Sequence, residues 1–356
     1  MNKGKTVFAQ LIELLSKYEF DKCVNRYRGN YKVQRFSCWE QFLVMSFAQL
    51  SYRESLRDIE TCLGAVQSKL YHSGIRCKVS RSTLADANEN RDWRIYADFA
   101  HVLINQARPL YVEDNDFSVR LNNMAYAFDS TTIDLCLSLF PWAKFRKRKA
   151  AIKLHTLLDL RGSIPTFVEI TSGKVHDVNV LDVLNYEAGA FYVMDKGYVD
   201  FLRLYGVEQA KAYFVTRAKK NLSFRRVYSH EVNKKLGIIC DQHVYLTNFY
   251  PAKYYPDKIR RIKYRDNEKG KTFTYLTNNM VLAATTIAAL YKERWKVELF
   301  FRWIKQHLRI KSFYGTSSNA VYTQVWVALS IYLCSNYEEE NALRTIYLHD
   351  FANTLS

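Results

Sequence analysis

The sequence lacks any pairing of its cysteines. The seven (Cys23, Cys38, Cys62, Cys77, Cys136, Cys240, Cys334) stand singly, an odd number with no C-x-x-C and no Cys/His cluster at zinc spacing. That argues against a zinc finger or a disulfide framework and fits a reducing cytosol. A long apolar run is missing too. The N-terminal "MNKGKTVFAQLIELLSKYEF" is amphipathic without the continuous apolar core of a signal peptide, so export is not expected. The most apolar stretch, "AVYTQVWVALSIYLC" (320–334), is interrupted by Thr323, Gln324 and Ser330 and is too short to span a bilayer. It reads as a buried core helix, and no membrane partner is expected. Acids are scarce as well: 35 Asp and Glu against 52 Lys and Arg leave a net charge of +17. Nucleic acid is the first candidate partner for such a surplus, because a phosphate backbone draws Lys and Arg through counterion release. With 48% hydrophobic and 24% charged residues over 356 positions, the composition is that of a soluble globular chain of two or three domains.

Along residues 1–120, "TVFAQLIELLSKY", "CWEQFLVMSFAQL", "SLRDIETCLGAVQSKLY" and "SRSTLADANENRDWRIYADFAHVLINQA" repeat apolar residues every three or four positions. This predicts a separate all-α N-terminal domain. Within it, "SLRDIETCLGA" and "VSRSTLADANE" fit a helix-turn-helix, with Ser80 or Ser82 as N-cap and Arg81, Thr83 and Asn88 facing outward. From about 121 the period changes. "MAYAFDS" (124–130), "KLHTLLDL" (153–160), "IPTFVEIT" (164–171), "AFYVMD" (190–195) and "KAYFVTR" (211–217) read as strands, with helices predicted over "DVNVLDVL" and "VDFLRLYGVEQA". Strand, strand, strand, helix, strand, helix, strand is the order of a ribonuclease-H-like α/β core.

Residues 217–280 interrupt that order with further strand-like pieces. They hold 15 Lys and Arg against 5 Asp and Glu, a surplus of 10. We read them as a basic β insertion, a phosphate-facing platform interleaved with Tyr and Phe, placed before the last helix of the core at about 285–309. The loop "FRKRK" after the first strand contributes Lys147 and Arg148 as candidate DNA contacts. The expected architecture is thus a helical domain (1–120), an α/β domain (121–335) and a C-terminal helical tail (336–356).

Three acids stand out against the basic background. Asp129 ends the first predicted strand and Asp195 the fourth, strands that lie side by side in a ribonuclease-H-like sheet. Glu298 lies in "YKERWKVELFFRWIKQHLRI" (291–310), where Tyr291, Arg294, Glu298 and Lys305 fall within a stripe about 60° wide at 100° per residue, with Arg302 beside it. Val297, Phe300, Phe301 and Ile304 occupy a separate, core-facing arc. Taken alone, Glu298 reads as an i,i+4 ion-pair partner of Arg294 and Arg302. Three carboxylates converging on one spot repel one another unless a cation holds them, and hard oxygen ligands suit Mg2+ or Mn2+. Two such ions serve an in-line displacement at phosphorus.

These residues resemble the DDE triad of cut-and-paste transposases. Tyr291, Arg294, Glu298 and Lys305 match the Y-x2-R-x3-E-x6-K signature of the insertion-sequence-four family, and "DKGY" after Asp195 resembles its D-x-G-Y/F pattern. The resemblance covers roughly 121–335. It implies a transposase that binds the terminal inverted repeats of an insertion sequence. With two Mg2+ or Mn2+ ions on Asp129, Asp195 and Glu298, it cuts one strand and lets the freed 3′-OH attack a second phosphodiester. It also implies phosphate contacts from Tyr291, Arg294 and Lys305, a homodimer on double-stranded DNA, and a bacterial cytoplasmic, nucleoid-associated location. Hairpin-forming relatives stack a Trp of the β insertion on a flipped base. All six Trp of this chain lie outside 217–280, so either a Tyr or Phe such as Tyr245 or Phe249 takes that place or the hairpin step differs. The competing readings are a ribonuclease-H-like nuclease or resolvase and a non-catalytic DNA-binding regulator derived from a transposase.

Overall fold

A computed structural model describes residues 6–111, 119, 121, 123–266, 270–307 and 313–340. The chain forms two compact units, one of Met1–Tyr111, Ile133–Ile152 and Phe301–Ser356, the other of Val112–Thr132 and Lys153–Phe300.

The first unit opens with six helices: α1 (Val7–Glu13), α2 (Lys17–Arg26), α3 (Cys38–Leu50), α4 (Leu56–Leu70), α5 (Arg81–Asn90) and α6 (Arg94–Ala107). Five of them start on a Ser or Thr whose hydroxyl accepts a first-turn N–H: Thr6, Ser16, Ser37, Ser55 and Ser80. Such caps satisfy donors that the helix itself leaves orphaned. Around Phe20 the rings of Trp39, Phe42 and Phe99 close the core. Ser80 caps α5 and Arg81 and Thr83 are exposed, as the pattern predicts, but Asn88 is not outward. It is buried and accepts a hydrogen bond from Gln41 Nε2 at 2.7 Å. Residues 71–80 separate α4 from α5, longer than the tight turn of a helix-turn-helix.

The α/β region holds β1 (Ala125–Leu135), β2 (Lys144–Arg146), β3 (Lys149–Asp159), β4 (Ile164–Ser172), β5 (Phe191–Met194), α7 (Phe201–Gln209) and β6 (Tyr213–Arg217). Next come β7 (Phe224–Ser229), β8 (Ile238–Leu246), α8 (Phe249–Tyr254), β9 (Ile259–Arg265) and β10 (Thr272–Thr277). β3 sits beside β1, β1 beside β5 and β5 beside β6, with β4 on β3. β1, β5 and β6 are parallel. That is the ribonuclease-H-like order. The β insertion joins the same sheet by antiparallel pairing through β6-β10-β9-β8-β7. Phe128, Tyr192, Leu204 and Phe214 are among the side chains that fill the core under it.

Two elements differ from expectation. "DVNVLDV" (Asp177–Val183) is a 3-10 turn rather than an α-helix. The single helix expected over 285–309 is broken in two, α9 (Ala284–Glu293) and α10 (Trp295–His307). At the break the ladder tightens: Arg294 N donates to Tyr291 O at 3.3 Å and Val297 N to Arg294 O at 3.2 Å. Such i→i+3 bonds are the 3-10 pattern that commonly ends a helix. In the first unit, α11 (Ser318–Glu340) packs on α6, α3 and α5. Its 320–334 core is buried almost throughout, and Gln324 O accepts from Gln49 Nε2 at 2.9 Å. Among the described residues no helix is long and apolar enough to cross a membrane. The tail expected at 336–356 lies, beyond 340, outside the described residues.

Candidate active site

The register of the parallel strands sets the site. β1 pairs with β5 up to Phe128↔Met194, and β5 with β6 up to Met194↔Thr216. Asp129, Asp195 and Arg217 therefore follow as neighbours across three strands. Asp129 does not end β1, as the sequence suggested; the strand runs on to Leu135 and Asp129 marks where its pairing to β5 stops. The apolar runs before the acids, Ala125–Phe128 and Phe191–Met194, are buried without exception.

Onto this edge come the last turn of α9 and the first turn of α10. Tyr291 donates from its hydroxyl to Asp195 Oδ1 at 3.1 Å. Arg294, at the break, donates through one guanidinium nitrogen to Asp129 Oδ2 at 2.7 Å and through the other to Glu298 Oε1 at 2.5 Å. Glu298 lies in the first turn of α10, where the exposed N–H groups of a helix favour a carboxylate. Arg217 reaches Asp195 Oδ1 at 3.3 Å, and its guanidinium lies 5.8 Å from the Phe273 ring centre and 5.9 Å from that of Tyr291. Three acids and two arginines thus share one edge.

The electrostatics separate the two aspartates. Asp129 is pushed up to about 6, chiefly by burial and further by the charges of Glu298 and Asp195, with the Ser130 N–H and Arg294 opposing. Burial is also the largest influence on Asp195 and acts to raise it. The Lys196 N–H, Arg217, Tyr291 and Arg294 together outweigh it and hold that carboxyl below its usual value. Burial pushes the Tyr291 phenol up to about 12, so it stays a donor at neutral pH. Arg294 remains charged, its neighbouring Tyr291, Glu298 and Asp129 overriding the burial that opposes it.

The donor set suits a hard divalent cation, since it consists of carboxylate oxygens, and the charges of Glu298 and Asp195 both oppose ionisation of Asp129. Among the described residues, however, no three His, Cys, Asp or Glu are grouped ready to hold a metal ion. Arg294 takes the place of a cation between Asp129 and Glu298, and its Nε is buried without a hydrogen-bond partner. Asp129, Asp195 and Glu298 fit the ion on condition that this guanidinium gives way.

Of the other candidate residues, Arg302 is exposed and Lys305 half-buried, one and two turns beyond Glu298 on α10. Lys147 and Arg148 form the exposed tip of the β2–β3 hairpin. Phe249 on α8 is 73% exposed, whereas Tyr245 on β8 is half-buried with the Arg225 guanidinium 5.9 Å above its ring. Asp177 is the first residue of its 3-10 turn, with His176 at the cap position. Sequence reasoning missed Arg217, although its place at the end of a strand next to that of Asp195 was a usable signal. It also missed Ser130, whose backbone N–H donates to Asp129 Oδ1 at 2.8 Å.

Comparison with known proteins finds transposases. The family model described as "Transposase DDE domain" matches residues 123–334, and a domain of unknown function (DUF4372) matches residues 3–76. "Putative transposase y4zB" of Sinorhizobium fredii is 36% identical over 253 residues, 70% of this chain and 68% of that protein. "Probable transposase for insertion sequence element IS5377" of Geobacillus stearothermophilus is 30% identical over 222 residues, 61% of this chain and 57% of that one. A cryo-EM structure of a piggyBac transposase synaptic complex with hairpin DNA aligns with a TM-score of 0.45 at 11% identity, covering 99% of this chain and 80% of that chain.

Proposed function

The chain belongs to the family of transposases with a DDE domain, and from that premise we propose that Asp129, Asp195 and Glu298 are the catalytic, metal-holding carboxylates of an insertion-sequence transposase. The observation that carries this reading is the meeting of all three acids around Arg294 and Tyr291 at one sheet edge. Two Mg2+ or Mn2+ ions, when held there, supply activation of the attacking oxygen and stabilisation of the leaving oxygen at phosphorus. In the first step water attacks a phosphodiester at the transposon end, the P–O3′ bond breaks, and a 5′-phosphate and a 3′-hydroxyl result. In the second that 3′-hydroxyl attacks another phosphodiester, forming one P–O bond as another breaks, so no outside energy source is needed.

The protein's own side chains orient the strand. Tyr291, Arg294, Arg302 and Lys305 grip phosphates near the cut, and Lys147 and Arg148 extend that grip. Residues 1–120 form the DNA-binding region and 121–335 the catalytic one, with Arg81 and Thr83 on α5 facing the duplex. The partners are double-stranded DNA, at the inverted-repeat ends and at the target, and a second copy of the chain in the synaptic complex. Its workplace is the bacterial cytoplasm, at the nucleoid.

The test is a gel assay with labelled end DNA and Mg2+. End-specific 3′ nicking that disappears in Asp129→Ala, Asp195→Ala and Glu298→Ala supports the reading. Structure-directed cutting would instead indicate a nuclease or resolvase, and binding without cleavage a regulator.

A further inference from the structure

Asp177 lies 48 residues past Asp129, yet it is wired to it. The Ser130 backbone N–H donates to Asp129 Oδ1 at 2.8 Å, and the Ser130 hydroxyl donates to Asp177 Oδ1 at 2.9 Å. The same Asp177 oxygen lies 3.0 Å from Lys153 Nζ, which also donates to Val175 O at 2.8 Å. His155 Nδ1 is 3.8 Å from that oxygen, and its Nε2 lies 2.8 Å from Thr171 Oγ1. One carboxylate therefore gathers groups from β1, β3 and, through His155, β4. It does so where β1 leaves its pairing with β5 and keeps β3 as its sheet neighbour.

A half-exposed acid opening a short turn needs none of these partners to do that job. A strand that must hold a metal-binding carboxylate in one rotamer, just past its last residue paired to β5, does need an anchor on that side. We propose that Asp177 and Ser130 are positioning residues for the reaction: Asp177, held by Lys153, fixes the Ser130 hydroxyl, and the Ser130 N–H in turn fixes the Asp129 carboxylate. The inference rests on Asp129 being a catalytic acid. Partners that orient a ligating carboxylate typically matter 10–100-fold in metal affinity or activity.

The test uses the full-length chain carrying Ser130→Ala, Ser130→Thr, Asp177→Asn or Asp129→Ala. End nicking is measured across a Mg2+ series, Mn2+ binding by electron paramagnetic resonance without DNA, and Tm on each variant. The expected result is a rise of about 10-fold or more in the Mg2+ needed for half-maximal nicking and weaker Mn2+ binding in Ser130→Ala and Asp177→Asn. Tm should be little changed and Ser130→Thr close to wild type. Unaltered metal dependence in Ser130→Ala and Asp177→Asn, or losses that follow Tm alone, overturns the proposal. Nicking that survives Asp129→Ala overturns the parent reading instead, so the two failures are told apart. Should Asp177→Asn fail to fold, Ser130→Ala alone decides.

Discussion

Arg294 reaches across 165 residues of sequence to donate to Asp129 Oδ2 at 2.7 Å, and the same guanidinium holds Glu298 on its other side. The side chain is only 14% exposed, so it neutralises two acids in a poorly solvated place. A divalent cation drawn to those acids has to displace it. The freed guanidinium is then available to a phosphate, which couples ion binding to strand binding in the proposed reaction.

The Arg294→Ala variant tests that competition without any catalysis. Breaking one side of a largely buried ion pair leaves the other side uncompensated, at a cost of about 3–5 kcal/mol. The metal-free variant should melt well below wild type. Added Mg2+ should raise its Tm more than that of wild type, because ion and guanidinium no longer compete. Equal Mg2+ shifts in calorimetric scans of the two proteins would exclude a shared position.

Asp129 predicts a pH dependence of definite sign. Its folded-state value of about 6 lies above the ordinary 3.8, so the group contributes stability that is present below 3.8 and lost as pH rises through 6. In metal-free buffer, wild type should lose stability relative to Asp129→Asn between pH 4 and 7, by on the order of 2–3 kcal/mol. Urea midpoints at steps across that range read the difference. A constant gap would place the Asp129 carboxyl at its ordinary value.

The order of strands, the parallel neighbours and the basic insertion were legible in the sequence because each rests on local periodicity and turn residues. So was the nearness of Asp129 to Asp195, since fold order alone makes their strands adjacent. The break at Arg294 was not. A count of 100° per residue assumes one continuous helix, and nothing in "YKERWKVE" announces the 3-10 step that resets the phase between Tyr291 and Glu298. Asn88 was misread for a related reason: its face of α5 looks polar, but the buried partner Gln41 lies 47 residues away. Asp177, Ser130 and Lys153 form a network whose members are unremarkable singly and meet only across strands.

Arg217 is half-exposed, as is Asp195, so their 3.3 Å ion pair is worth no more than about 1 kcal/mol to folding. Arg217→Gln should therefore leave Tm within a few degrees of wild type. Its effect belongs to the site, because the flat guanidinium over the Tyr291 and Phe273 rings holds the phenol against Asp195. End nicking is expected to fall about 10-fold, and Arg217→Lys, which keeps the charge and loses the plane, should restore little of it. Full activity in Arg217→Gln would reduce this residue to a surface charge.

The insertion's charge is not all equivalent, and two arginine sites divide it. Arg225 and Arg226 on β7 are exposed, whereas Arg260 on β9 is buried and bonds Asp241 at 2.6 and 2.8 Å. If the sheet faces phosphates, replacing Arg225 and Arg226 by Gln should weaken DNA binding for any sequence. Each lost contact would lower the slope of log K against log salt by about 0.9, with Tm unchanged. Arg260→Gln should do the reverse, because removing one partner of a buried pair costs about 3–5 kcal/mol of folding stability while the folded fraction keeps the wild-type slope. Fluorescence anisotropy titrations between 50 and 200 mM salt, read beside melting curves, separate the two, and an unaltered slope in the Arg225/Arg226 variant would remove β7 from the DNA-facing surface.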